Sequence, residues 1–361
     1  MINRIAVLGA GGFIGNRTVE MFCLGSKYEV RPVVREARAL AMASRFALDG
    51  RIADGRDRVA LTSAFEGCDA VIHAIAGDPA TILGALEPVY RAAEASGVRR
   101  LIYLSSASVH GQAPAQGVTE ATPLTDRQPI AYNNAKVRAE WRLQEMRQSG
   151  NVELVILRPG IVHGPRAYWT GGFVDELLAG DAYLIDGGKG ICNGAYVDNV
   201  VHAITCALET EAKHADRQAY LIGDAETFTW ADLVRPLARA VGFALDDLPE
   251  PVFEASPGIF TLLKNSDPVQ GMMRRLPRAL RVALRAGYRE FRTERGQDAG
   301  GTPGPKRPVA TQERALLHRC AWKFPHGKAA TEIGYSPPIS FSEAQHRTLG
   351  WLDFAGYPII A

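Results

Sequence analysis

Along the first 160 residues, short apolar runs alternate with stretches in which apolar residues recur every three or four positions. Ile5 to Leu8, Tyr28 to Val34, Ile52 to Asp54, Ala70 to Ile75, Leu101 to Leu104 and Val152 to Leu157 form the first kind. They are rich in β-branched residues and show little polar alternation, which predicts strands covered on both faces. Phe13 to Phe22, Pro88 to Ser96 (closed by Gly97) and Tyr132 to about Gln148 form the second kind and predict helices. Strand and helix taking turns in this way argue for right-handed crossovers in one doubly wound parallel sheet.

The turn after the first strand carries glycines at Gly9, Gly12 and Gly15, with Phe13 and Ile14 opening the helix. Glycine is needed there for a tight turn, for close approach of a pyrophosphate and for packing of helix on strand. The helix amino terminus then favours the phosphates of a dinucleotide. Gly makes up 36 of 361 residues, so the spacing alone carries little weight; its place between a strand and a helix supplies the rest. Arg35 ends the second strand, with Arg38 close behind. An acidic residue there would bond the ribose of NAD, whereas arginine suits the 2′-phosphate of NADP, so NADP is favoured over NAD. Asp54 is expected near the adenine, and small Ala74 and Ala76, flanking Ile75, let the dinucleotide come close.

Beyond Gly164 the pattern changes. Tyr168, Trp169, Gly171, Gly172 and Phe173 lead to a turn-rich Leu184 to Gly190, as substrate-facing segments do. Tyr196 to Val201 begins another strand-then-helix, Tyr220 to Ile222 another strand, and Thr229 caps a further helix. Residues 296–311 read as a long Gly- and Pro-rich loop. Between Met272 and Arg295 eight arginines are threaded among leucines and valines. That pattern describes a solvated helical face better than a surface for lipid or a phosphorylated ligand. Residues 1–165 are therefore expected to form the NAD(P)-binding domain, with return segments near 191–224, and 166–361 mainly a substrate-binding domain.

Composition narrows the function classes. With 41 basic and 39 acidic residues the net charge is +2, too small a field to draw nucleic acid or an anionic membrane. The five cysteines are scattered without metal-ligand spacing, which predicts reduced thiols and no metal. No apolar run approaches the ~20 residues of a membrane span, and the first strand begins too early for a signal peptide, so a cytoplasmic location is expected.

The chemistry gathers on three residues. Serines at Ser105, Ser106 and Ser108 follow the fifth strand, where ligands of such sheets lie. Tyr132 and Lys136 are one helical turn apart and share a face. A Lys136 ammonium in a cleft of low dielectric is expected to bring the phenol from about 10 toward 7, roughly 4 kcal/mol of phenolate stabilisation. Ser106 would hold the substrate oxygen while Tyr132 moves its proton. His73, inside an apolar strand, reads as a satisfied core histidine.

These pieces together resemble the extended short-chain dehydrogenase/reductases of the NAD-dependent epimerase/dehydratase superfamily. The likeness spans Gly9 to Gly15, Asp54, the strand ending at Ser106, Tyr132 with Lys136, Leu157-Arg158-Pro159 to His163-Gly164-Pro165, Tyr196 to Val200, and Ile333-Gly334-Tyr335. The resemblance implies a Rossmann-like α/β fold with a smaller C-terminal α/β substrate-binding domain, a homodimer through the helices near Ala92 and Arg138, and a small-molecule substrate. It adds Pro159 and Val162 to the cofactor site and Ser108, His110, Ile161, Arg166, Trp169 and Lys189 to the substrate site. Ala107 and Ser108 stand where 4,6-dehydratases carry an Asp-Glu pair, which disfavours water elimination. Ile161 replaces an asparagine common in UDP-hexose epimerases, and His110 and His163 replace tyrosines. The first expectation is hydride transfer on a sugar or sugar nucleotide, with Arg166 and Lys189 available for phosphates. Second is an NADPH-dependent reductase or dehydrogenase of a larger apolar ketone or alcohol, similar to dihydroflavonol reductases and 3β-hydroxysteroid dehydrogenases. A non-catalytic NAD(P)-binding regulator is third.

Overall fold

A computed structural model describes residues 2–25, 27–253 and 308–360. Its strands begin with Arg4–Leu8 (β1), Glu29–Val34 (β2), Arg51–Ile52 (β3), Ala70–His73 (β4), Arg100–Leu104 (β5) and Glu153–Pro159 (β6). Ile161–His163 (β7), Ile191–Cys192 (β8), Gly194–Tyr196 (β9), Gln218–Ile222 (β10) and Phe228–Thr229 (β11) follow. Seven of them form one parallel sheet in the order β10-β6-β5-β4-β1-β2-β3. The chain builds outward from β1 to β3, then crosses back to lay β4 on the other side of β1. Ligands of open α/β sheets bind at such a reversal, beyond the strands' carboxyl ends.

Helices cover both faces, which is why the strands carry no polar alternation. On one face Phe13–Gly25 (α1) contributes Val19 and Phe22, packed on Ile5, Val7, Ile72 and Val155. The other face holds Arg58–Phe65 (α2) and, after Pro79–Gly84 (α3), Leu86–Ala95 (α4) and Ala131–Ser149 (α5). Phe65, Val89, Tyr90 and Leu143 there cover Ala6, Leu8, Val71 and Leu154. Phe173–Ala179 (α6), Val197–Glu209 (α7), Ala212–Ala215 (α8) and Trp230–Ala240 (α9) come next, α7 lying beside α1. Gln312–His318 (α10), Gly327–Ile333 (α11) and Phe341–Phe354 (α12) complete the order. A separate apolar cluster joins Phe173, Leu177, Trp230, Leu237, Leu317 and Leu352, from α6, α9, α10 and α12.

Boundaries differ from the sequence expectation where the chain turns toward the cleft. β4 stops at His73, because Ala74 to Ala76 leave the sheet to line that cleft. Likewise β3 pairs only through Ile52, and Ala53 and Asp54 run past the ladder. The helix α3 was not expected; Pro79 at its first position and Asp78, accepting from the Thr81 N–H at 3.0 Å, start it. Of the expected loop 296–311, residues 296–307 lie outside the described residues; Val309–Ala310 pairs in parallel with Val252–Phe253. The Arg-rich segment 272–295 lies outside the described residues. No helix among the described residues is long and apolar enough to cross a membrane, and no disulfide joins the five cysteines.

Candidate active site

The glycine turn is built by close approach. Gly9 has φ +88°, and a Cβ there would lie 2.9 Å from the Ala74 carbonyl carbon; on Gly15 it would lie 2.3 Å from the Gly9 oxygen. A Cβ on Gly12 would meet only the Gly9 oxygen at 3.3 Å, so its outer side stays open. Beside it runs a cleft of about 330 Å³ between Gly11, Gly12, Ala39, Arg35, Asp54 and the Ala74-Ile75-Ala76 segment. The shape and the free N–H groups of α1 fit the diphosphate and adenosine of a dinucleotide. Phe13 and Ile14 turn their side chains into apolar clusters and leave only backbone to the cleft. Pro159, at the end of β6, and Val162, packed on the core, do not line it.

Sequence reasoning missed Glu36 in this cleft. It follows Arg35 directly and is ion-paired to Arg38 at 2.6 Å and to Arg35 at 3.7 Å. An acid adjoining the second strand was the signal that could have found it.

On the same carboxyl edge of the sheet, two strands from β1, Ser106 follows β5 and caps a short turn, its hydroxyl accepting from the Ser108 N–H at 3.2 Å. The Ser106 hydroxyl comes near enough to the Tyr132 phenol to favour its ionised form, so the strand and the first turn of α5 bring the two together. Lys136 is almost wholly buried below them. Its Nζ donates to the Leu104 carbonyl at 2.7 Å and to the Tyr103 hydroxyl at 3.3 Å, and lies 5.9 Å from the centre of the Tyr132 ring. The expected electrostatics differ. Burial pushes the Tyr132 phenol up to about 12, the Ser106 hydroxyl opposing the rise and the charge of Glu313 adding to it. Burial also pushes Lys136 down to about 7, against the charge of Glu140. The reason is that both groups are buried, and the desolvation of each outweighs the contacts that favour its charged form.

Under this pair runs a buried network. Arg158 grips Glu140 through Nη2 at 2.6 Å and Nε at 3.0 Å, Ser105 donates to the same carboxylate, and Arg158 Nη1 lies 3.1 Å from His110 Nε2. His110 is thereby held away from the substrate side, and burial with the Arg158 charge lowers it to about 4. His73 is fully buried, with Nδ1 accepting from the Ile75 N–H and Nε2 without a partner among the described residues. Burial and the Lys136 charge push it down to about 3.

A second, much smaller cavity of about 40 Å³ opens beside Ser106 and Ser108. Ile161, Ile191, Trp230, Leu317 and Phe324 wall it, with Gln112 and Asn193 as its other polar residues. Asn193 is spent on structure: it donates to Cys320 Sγ and the Trp322 carbonyl and accepts from the Phe324 N–H. Gln112 is tied to Asn133 and to Glu313. The Ser108 hydroxyl is buried without a partner among the described residues.

Of the expected substrate residues, Ser108 and Ile161 therefore meet at Ser106. Trp169 lies one layer out, 5.2 Å from the Trp230 ring. Lys189 is exposed after a turn, and Arg166 reaches α1 instead. Trp230, Leu317, Phe324 and Glu313 escaped sequence reasoning, since nothing local marks them as neighbours of a serine more than 120 residues earlier. Among the described residues no group of three His, Cys, Asp or Glu is placed to hold a metal.

Comparison with known proteins agrees with this geometry. Residues 5–223 match the model of the NAD dependent epimerase/dehydratase family. The chain is 25% identical to a 3beta-hydroxysteroid-dehydrogenase/decarboxylase of Arabidopsis thaliana, over 95% of this chain and 78% of that one. It is 26% identical to a UDP-glucose 4-epimerase of Vibrio cholerae, over 70% and 80%. A dTDP-glucose 4,6-dehydratase from Streptomyces venezuelae, solved with NAD, superposes with a TM-score of 0.71 at 19% identity, covering 97% of both chains. With its glycine turn, its serine-tyrosine-lysine group and a family match over more than half its length, the chain belongs to the NAD-dependent epimerase/dehydratase family of extended short-chain dehydrogenase/reductase enzymes.

Proposed function

We propose that the enzyme interconverts a secondary alcohol and a ketone on a substrate whose body is largely apolar, with a nicotinamide dinucleotide as hydride carrier. The observation that carries this reading is the cavity at Ser106: Ile161, Ile191, Trp230, Leu317 and Phe324 wall it, and among the described residues no Lys or Arg lines it. A sugar nucleotide would bring a diphosphate, and a buried diphosphate needs cations. The two expected for it, Arg166 and Lys189, both lie off the cavity. Similarity to a 3beta-hydroxysteroid-dehydrogenase/decarboxylase supports the same substrate class.

In this reading Ser106 and Tyr132 hold the substrate oxygen through their neighbouring hydroxyls, and the Ser108 hydroxyl, without a partner among the described residues, is free to bond a second polar group. A bound nicotinamide supplies or accepts the hydride. The phenol, protonated at neutral pH, gives its proton to the oxygen as ketone becomes alcohol and takes it back in the reverse direction. Lys136 and the Glu140–Arg158 pair fix the helix face that presents Tyr132. Arg35 and Arg38 favour NADP, with Glu36 neutralised between them.

The test is turnover of NADPH and NADH with hydrophobic cyclic and aryl ketones, set against UDP-sugars. Net oxidation of NADPH by the former, lost at least about a hundredfold in Tyr132→Phe with dinucleotide affinity kept, supports the reading. UDP-sugar epimerisation by enzyme retaining its own NAD, with no net cofactor consumption, would overturn it.

A further inference from the structure

We propose that Arg166 binds the diphosphate of the dinucleotide, clamping it from the loop after β7 against the start of α1. The inference rests on the family's use of such a cofactor, not on the substrate reading. Arg166 stands at φ +69°, a left-handed conformation that non-glycine residues adopt at a cost. Such strain persists where surrounding structure enforces it, often at ligand clamps.

The side chain is half-buried, and both its hydrogen bonds go to neutral groups. Nη2 donates to Asn16 Oδ1 at 2.9 Å and Nη1 to Met42 Sδ at 3.3 Å. Asn16 lies one turn into α1, its N–H on the Gly12 carbonyl at 2.9 Å. Met42 follows the Ala39 segment that packs on Gly11. Arg166 thus bridges the second turn of α1 and the segment after Ala39, beside the glycine turn although not among the residues that line the cleft.

Its charge is not compensated by an ion pair among the described residues. The carboxylate that acts on it, Glu20, is already held by Arg17 at 2.7 Å and by Arg45. Arg17 is also bonded to Asp198 at 2.6 Å. Three guanidiniums therefore surround one glutamate. Burial, with the like charges of Arg17 and Arg45, lowers the Arg166 pKa, the mark of a cation short of an anion. A dianionic diphosphate at the helix start would supply it.

Calorimetric binding of ADP-ribose and adenosine to the full chain tests this without any substrate. Arg166→Met should weaken ADP-ribose about tenfold or more, leave adenosine within twofold, and flatten the salt dependence of ADP-ribose affinity. Arg166→Lys should restore part of the loss. Arg166→Gly, which relieves the backbone, should raise the melting temperature while binding ADP-ribose as weakly as the methionine variant. Equal ADP-ribose affinity in wild type and Arg166→Met overturns the assignment. An equal loss for adenosine also overturns it, since the effect is then general. Failure of the wild type to bind ADP-ribose sinks the cofactor site itself.

Discussion

His73 offers a test that needs neither substrate nor cofactor. Its ring is buried at the end of β4, edge-on to Tyr103 at 5.2 Å, and burial with the Lys136 charge takes its pKa from 6.5 to about 3. The folded state therefore keeps His73 neutral at pH 4.5 while the unfolded chain protonates it. Protons bound only by the unfolded form pull the equilibrium toward unfolding as pH falls through 6.5, and the loss levels off near pH 3. Between pH 7 and pH 4.5 this one group should remove about 2.5 kcal/mol of stability. His73→Asn supplies a non-titrating side chain whose oxygen can accept from the Ile75 N–H as Nδ1 does. Urea unfolding at both pH values gives the comparison. Other acidic-range groups are common to the two proteins, so the difference of differences isolates His73. Wild type should lose about 2.5 kcal/mol more than the variant on acidification. Parallel losses would refute the reasoning and show His73 reaching a proton acceptor or solvent in the folded protein.

Gly15→Ala places a methyl 2.3 Å from the Gly9 oxygen, a backbone atom, so it should lower stability by roughly 1–3 kcal/mol and abolish dinucleotide binding; calorimetry reads both. Glu140→Ala strands a buried guanidinium and should cost roughly 3–5 kcal/mol, whereas Glu140→Met with Arg158→Met should recover most of it in urea titrations. Replacing Arg35 and Arg38 by alanine should reduce the preference for NADPH over NADH by about tenfold, measured as a ratio of dissociation constants.

What the sequence discloses is what lies close together along it. Ile5 to Gly15 carries strand, turn and helix start within eleven residues, so its geometry was legible. The Tyr132–Lys136 spacing was equally legible, because one helical turn sets it. The electrostatic state of that pair was not, since it depends on how deeply β5 and α5 bury Lys136 against Leu104 and Tyr103. Glu36 was hidden by a one-residue uncertainty in where β2 ends. Arg166 was read from its neighbours in the chain, while its role follows from Asn16 and Met42, more than 120 residues away.

Asn193 ties Cys320, Trp322 and Phe324 to the strand pair beside Ile161, and with the Ile191 N–H on the Cys320 carbonyl at 2.7 Å this amide fastens one wall of the second cavity. Under the proposed function, proton transfer belongs to Ser106 and Tyr132, while most of the recognition surface comes from a later stretch of the chain. A lineage could exchange the residues suspended from that amide and acquire a new appetite for ligands, while the hydroxyl pair beneath continued its work unaltered.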